Sequence, residues 1–421
     1  MQYVYINETF LYEIVYKLFL FPIMLYDTLM GTLSEEKKGI DWILFVATIP
    51  LLAAGLVTMS SFGGPVAVMG GVVTGVATAA AGGNFFIRQI IWIVIALGIF
   101  FGCSFIDFRF LRKTWISVGL FIASCAMLSL LFVIGHVSRG AASWFSLGAF
   151  SFQPSDLVKL ALVVILAKYF SRRHIEIANV RHILVSGSYA LIIAILVLIQ
   201  PALGSAIIIF LIWLGMVLVS GISKKHLAAM ALIAMAVFAL LWTVGFKEYQ
   251  RDRILNFIHP LTDIHDTGYN AYQSAIAVGS GGLFGKGVGY GTQSRLKFLP
   301  EYQTDFIFAA FAEEWGFVGV FILFCLFGVI VWRIIRIARS GATNFEILFG
   351  AGVAILIIVQ FVVNVGMNIE LLPVTGTTLP FVSYGGTHLL TEFAGLGIMM
   401  GMRRYGRVVQ NDVAKDEFIG S

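Results

Sequence analysis

The chain has 421 residues, 59% of them hydrophobic and only 12% charged, and its mean hydropathy is +0.92. A water-soluble domain carries roughly a quarter charged residues, so too little polar surface exists here to cover a soluble globule. The net charge of +5 raises nucleic acid as a partner, but the basic residues gather at the ends of apolar runs, where they anchor a membrane protein, and no nucleic-acid partner is expected.

Residues 1–40 precede the first clear span. Residues 9–33 are apolar but hold Glu13, Lys17 and Asp27. They read as an amphipathic helix lying in the membrane interface, the alternative being an eleventh span that would move the N-terminus outside. The stretch lacks the charged start, compact apolar core and small-residue cleavage site of a cleavable signal peptide.

A membrane-crossing helix needs about 20 mainly apolar residues. Such runs lie at 41–61, 87–107, 115–136, 154–171, 182–200, 203–221, 226–245, 304–332, 345–368 and 384–402. They predict an all-α polytopic membrane protein of about ten transmembrane helices, occupying residues 41–405. An even count puts both ends of this core on one side. Most of the 28 Lys and Arg residues, among them Lys37, Lys38, Arg112, Arg172, Arg173, Arg333, Arg336 and Arg403, then fall on the cytoplasmic side. The three cysteines, Cys103, Cys125 and Cys325, sit in apolar runs as small core residues. Residues 62–86, rich in Gly, Ala and Val, read as a flexible outer loop. The cytoplasmic tail, residues 406–421, is polar and reads as irregular.

Two long segments face outside, 137–153 and 246–304. A connection as long as the second is usually functional. Its Gly-rich apolar middle, Ala271 to Gly291, predicts a short helix dipping into the membrane or lying along it. Backbone of that kind survives at membrane depth only when buried in protein or lining a cavity, so a cavity is expected on the outer side.

Three stretches could carry chemistry. In Phe298-Leu-Pro-Glu-Tyr-Gln-Thr-Asp305, Pro300 ends the long loop and Thr304 or Asp305 would cap the next helix. Asp305, with Glu301 just ahead, is either that cap or a proton acceptor at the membrane boundary. Glu313 and Glu314 lie deeper, and a hydrogen-bonded pairing role suits them, because membrane carboxylates rarely face lipid. In Gly140 to Lys159, Pro154 falls at a first helical turn, and Asp156 and Lys159, three apart, form a structural pair. Trp144 is either an interfacial belt residue or a platform for a sugar or lipid. In Leu372-Pro-Val-Thr-Gly-Thr-Thr-Leu-Pro-Phe-Val-Ser-Tyr-Gly-Gly386, prolines and glycines interrupt a membrane-depth run, as broken helices that line sites do. His388 and Glu392 follow, four apart, as a structural pair. Outer cations (Arg139, Arg251, Arg253, Lys286, Arg295 and Lys297) would suit a lipid-linked phosphate.

Together these pieces resemble the SEDS family, which includes RodA, FtsW and SpoVE. The matching residues are Trp144, Gln153-Pro154-Ser155 and Lys159; Gln200-Pro201 with Leu203-Gly204; Gly279 to Gly287; Gly291-Thr-Gln-Ser294; Phe298-Leu-Pro-Glu301 with Thr304 to Phe308; Glu313-Glu314 with Gly316; and Leu372 to Gly376 with Leu379 to Gly386. Gly-Ser-Gly-Gly-Leu and Gly-Thr-Gln-Ser look more like RodA than FtsW. The resemblance covers about residues 41–405. It implies a peptidoglycan glycosyltransferase of the cytoplasmic membrane that joins lipid II into glycan strands for elongation and cell shape. Undecaprenyl pyrophosphate would be the leaving group, membrane lipids the surroundings, and a class B penicillin-binding protein the transpeptidase partner. The family's essential acid maps onto Asp305 and its outer-loop tryptophan onto Trp144. Substrate contacts are expected from Arg139, Trp144, Lys286, Arg295, Lys297, Glu301, Ser383 and Tyr384, and a divalent cation could assist. A lipid II flippase, a non-catalytic scaffold and an FtsW-like division role are the alternatives. The sequence departs from the family pattern at Asp156, where Glu is usual, and at Ala202, where Asp is usual. It departs again at His388 and Glu392, where small or apolar residues are usual.

Overall fold

The structure is a computed structural model that describes residues 39–61, 79–134, 136–138, 141–147, 150–172, 180–240, 242, 243, 251, 255, 257, 268–296, 298, 299 and 301–419. The expected interfacial helix at 9–33 lies outside the described residues. The elements run α1 (Trp42–Ser61), α2 (Ala79–Ser104), a 3-10 turn (Phe108–Arg112), α3 (Thr114–Ile134), β1 (His136–Ser138), β2 (Ala141–Leu147) and β3 (Phe150–Phe152). They continue with α4 (Pro154–Ser171), α5 (Val180–Ile199), α6 (Leu203–Val219), α7 (Lys224–Leu240), α8 (Tyr269–Ser280), one turn at Thr292–Arg295, α9 (Ile307–Arg339), α10 (Asn344–Asn368) and α11 (Gly386–Ile419).

Among the described residues each predicted apolar run falls largely on a helix. Among the described residues six helices, α1, α2, α3, α5, α9 and α10, are long and apolar enough to cross a membrane, and α6 and α7 are shorter apolar helices. The protein is therefore a multi-pass membrane protein. Its outward faces carry large apolar side chains such as Val94, Ile122 and Leu232, which only lipid would cover at this density.

Four expectations need correction. The segment 137–153 is not a plain loop. β1, β2 and β3 form a small antiparallel sheet, with Trp144 opposite His136 and Phe145 opposite Phe152. The alternation Phe145-Ser146-Leu147 and Phe150-Ser151-Phe152 is a strand period that the surrounding helical pattern masks. Helix α2 starts at Ala79, inside the expected loop 62–86, because Ala79-Ala80-Ala81 is a strong helix former. The tail is helical, since α11 continues to Ile419. Helix α9 likewise runs past the apolar stretch to Arg339, carrying Arg333, Arg336 and Arg339 with it.

The buried centre lies where α10 meets α4, α6 and α9, while α11 packs along α2 and α4. Leu162, Leu166, Ile212, Phe349, Ile357 and Phe393 are almost fully enclosed there. Pro154 begins α4 where a missing N–H costs nothing, and the Gln153 N–H ahead of it donates to Thr387 Oγ1 at 3.0 Å. That bond ties the sheet end of α4 to the start of α11. On the opposite side of the core, Arg333 on α9 and Arg403 on α11 both donate to the buried Asp41 just before α1. The sequence reading treated these arginines only as surface anchors.

Candidate active site

The site forms where two irregular segments meet, the turn 301–306 ahead of α9 and the broken run 370–385 between α10 and α11, while the loop 281–291 after α8 packs further along α9. Helix α8 is the short helix expected within the long loop. It packs against α9 and α10, and Ala277 joins Leu299, Phe306, Ala309 and Ala310 in a small apolar cluster beneath the turn.

Asp305 does not cap α9. Phe306 occupies the cap position without a side-chain cap bond, so Asp305 sits one residue further out, on turn backbone. Its own carbonyl is gripped instead. Asn364 Nδ2 donates to Asp305 O at 2.9 Å and Asn368 Nδ2 at 3.1 Å. The same Asn364 amide reaches Thr377 O at 2.6 Å, joining the turn to the broken run. Asn368 also accepts from Ala309 N at 3.3 Å and Ser274 Oγ at 3.2 Å, which brings in α9 and α8. Sequence reasoning missed this asparagine pair. The available signal was two amides four apart, one helical turn, in an apolar membrane helix where polar groups are costly.

The Asp305 carboxylate lies against Gly376. A Cβ built on Gly376 would fall 3.4 Å from Asp305 Oδ2, and Gly376 has a φ of 69°, a left-handed conformation suited to glycine. Asp305 and Glu301 are each half-buried, so the carboxylate meets both protein and the outer space. Glu301 takes Thr304 Oγ1 on Oε2 at 3.3 Å. Burial pushes the neighbouring Tyr302 phenol up, with the Glu301 charge adding to the effect, so that phenol stays a donor.

The broken run holds the turn from its other side. Ser383 Oγ donates to Thr304 O at 2.6 Å and accepts Leu379 N at 2.8 Å. Tyr384 N donates to Gln303 O at 2.8 Å. The Tyr384 ring meets Phe85 edge-on at 5.0 Å. Ser383 is thus buried and engaged with the backbone next to Asp305, while Tyr384 is half-buried.

Glu313 and Glu314 capture the Gly-rich loop. Glu313 Oε1 accepts from Lys286 Nζ at 2.8 Å, Thr292 N at 2.8 Å, Thr292 Oγ1 at 3.0 Å and Gln293 N at 3.1 Å. Glu314 Oε1 accepts from Gly289 N at 2.8 Å. Lys286, expected among the phosphate contacts, is therefore engaged in an ion pair with a fully buried carboxylate. Helix α9 breaks beside them at Gly316, whose φ of 64° and ψ of −167° belong to a region essentially restricted to glycine. The loop fills the break. Lys286 N and Gly287 N donate to Glu313 O and Glu314 O, while Phe317 N and Val318 N donate to Gly282 O and Leu283 O. Main-chain groups orphaned by the kink are satisfied by the loop, as membrane depth requires.

Of the remaining predicted residues, Arg295 ends the single turn at 292–295, with Nη1 3.4 Å from Gly289 O. Trp144 is half-buried on β2. Arg139 and Lys297 lie outside the described residues. Lys159 Nζ donates to Asp156 Oδ1 at 2.8 Å inside the protein. Among the described residues no three His, Cys, Asp or Glu side chains come together in a way that could hold a metal ion.

The description of the FtsW, RodA and SpoVE family, "Cell cycle protein", matches residues 44–408. The chain belongs to this family. It is 36% identical over 294 residues to the peptidoglycan glycosyltransferase MrdB of Escherichia coli (strain K12), covering 70% of this chain and 79% of that one. It is 35% identical over 383 residues to stage V sporulation protein E of Bacillus subtilis (strain 168), covering 89% of this chain and all of the relative. Among solved structures it superposes on a chain of a peptidoglycan synthase complex described as coordinating polymerization and crosslinking. That match has a TM-score of 0.72 and 30% identity, and covers 87% of this chain and 98% of that one. The crystal structure of the rod shape determining protein RodA of Thermus thermophilus matches with a TM-score of 0.62 and 30% identity, over 87% and 97% of the two chains. The residues built into the Asp305 site all fall inside the family region.

Proposed function

We propose that this protein is a peptidoglycan glycosyltransferase that polymerises lipid II on the outer face of the bacterial cytoplasmic membrane, with both termini cytoplasmic. The observation that carries the reading is Asp305: a half-buried carboxylate on irregular backbone, with its carbonyl held by two buried amides and its oxygen beside Gly376. Such preorganisation suits a proton acceptor at a fixed point. The names of the MrdB and FtsW relatives support the same chemistry.

The reaction is an inverting transfer. Asp305 takes the proton of the acceptor sugar's 4-hydroxyl. That oxygen bonds to the anomeric carbon of the donor, and the bond to pyrophosphate breaks, its electron pair leaving with undecaprenyl pyrophosphate. Arg295, with Arg139 and Lys297, balances the developing charge, and Trp144 offers a flat face to a sugar. Residues 41–405 form the catalytic membrane domain, preceded by an extension and followed by a tail. The neighbour's coupling of polymerization to crosslinking supports a class B penicillin-binding protein as partner, and the RodA and MrdB likenesses support a role in elongation.

The test is polymerisation of labelled lipid II by purified protein, with and without a candidate partner, beside Asp305→Asn. Wild type makes glycan chains. The variant, with an unchanged melting temperature, loses at least about 10²-fold of that rate. Wild-type activity in Asp305→Asn refutes the assignment, and lipid II translocation without polymer would favour a flippase.

A further inference from the structure

Beneath the Asp305 site four ionisable side chains are buried together: Asp156 and Lys159 on α4, and His388 and Glu392 on α11. The transfer reaction uses none of them directly. Glu392 divides its two oxygens. Oε2 accepts the Phe381 N–H at 3.0 Å, and His388 Nε2 lies 2.9 Å from Oε1, one helical turn away.

Phe381 is fully buried and has a φ of 60°, a left-handed conformation that costs a residue with a side chain about 1–3 kcal/mol and persists only where its surroundings enforce it. The turn it belongs to, Leu379 to Tyr384, is the element that grips the backbone before Asp305. Val382 N and Ser383 N donate to Leu379 O, Ser383 Oγ donates to Thr304 O, and Tyr384 N donates to Gln303 O. Glu392 therefore stands at the root of a hydrogen-bonded chain that ends one residue before Asp305. The Phe381 N–H needs only an oxygen acceptor, which an uncharged amide would supply without the desolvation cost of a carboxylate, so stability alone does not account for Glu392 partnered by His388.

We propose that Glu392, oriented by His388, is a positioning residue for the reaction: it locks the Phe381 turn and through it sets where the Asp305 carboxylate stands. The inference rests on the glycosyltransferase reading and adds to it a buried pair that never touches substrate.

The test is the double variant His388→Leu/Glu392→Leu, which removes both ionisable groups and leaves the Phe381 N–H without its acceptor. Loss of the buried pair favours it and the orphaned Phe381 N–H counts against it, so it melts close to the wild-type temperature. Its kcat for lipid II polymerisation falls by about 10²-fold, the effect of a displacement near 1 Å at a reacting group, while KM changes little. Glu392→Gln keeps an oxygen for the Phe381 N–H and recovers most of the kcat. Ser383→Ala cuts the next link and lowers kcat in the same selective way, which keeps the test open should the double variant not fold. Wild-type kcat in either the folded double variant or Ser383→Ala overturns the proposal, as does a Glu392→Gln variant as slow as the double. A wild-type protein that makes no glycan overturns the glycosyltransferase reading instead.

Discussion

Replacing Gly316 by alanine tests the loop clasp directly. At φ 64° and ψ −167° a Cβ would stand 2.2 Å from Gly285 N and 2.7 Å from Leu283 O, both backbone atoms that cannot turn aside. Backbone strain at such a position costs about 1–3 kcal/mol for a residue with a side chain. Escape requires the loop to withdraw, breaking the four main-chain bonds from Lys286, Gly287, Phe317 and Val318, which are 2.9–3.1 Å long and contribute about 1 kcal/mol each. The strain acts on the clasped state alone, so opening becomes easier by that amount, about 5- to 150-fold at 1.4 kcal/mol per tenfold. Hydrogen exchange followed by mass spectrometry reads it: amides of 282–293, 317 and 318 lose protection by that factor, while α4 and α10 stay at wild-type rates. Exchange in the loop within about twofold of wild type would refute the account of the kink.

Two further outcomes follow from the same geometry. Lys286→Met leaves the Glu313 carboxylate buried without its cation and destabilises the protein by about 3 kcal/mol, the lower end for a broken buried pair because the lysine is partly exposed. A thermal melt checks it, and Lys286→Met/Glu313→Gln, which removes the charge but keeps an oxygen for the Thr292 and Gln293 N–H groups, recovers most of the loss. Asn368→Leu leaves the Ala309 N–H without its acceptor and removes one of the two amide donors to the Asp305 carbonyl. It costs about 1–3 kcal/mol and lowers polymerisation more than the melting temperature suggests, measured as kcat at a temperature well below the melt.

The membrane class and the helices were legible in the sequence because each span must satisfy its own backbone bonds and present apolar side chains to lipid, which marks composition over about 20 residues. The depth of Glu313 and the pairing of Asp156 with Lys159 lay within reach of local spacing. The sheet at 136–152 was not, since its short period sits between long helical patterns. Nor was the setting of Asp305. By spacing it is either a cap or a proton acceptor, and only the folded chain shows its carbonyl gripped by Asn364 and Asn368 from a helix some sixty residues further on. Lys286 illustrates the same limit from the other side. As a loop cation it suits phosphate, yet its partner Glu313 lies 27 residues away and no local pattern joins them.

By itself the sequence determined a polytopic helical protein, its apolar runs, and which irregular stretches had to be buried or functional. Those follow from the energetic cost of polar backbone in hydrocarbon, which acts on each segment alone. Tertiary structure decided which stretches meet: the turn before α9 with the broken run after α10, and the loop after α8 with the kink in α9. Their orphaned N–H and C=O groups satisfy one another across the chain, and that mutual pairing, a property of no single segment, builds the site around Asp305.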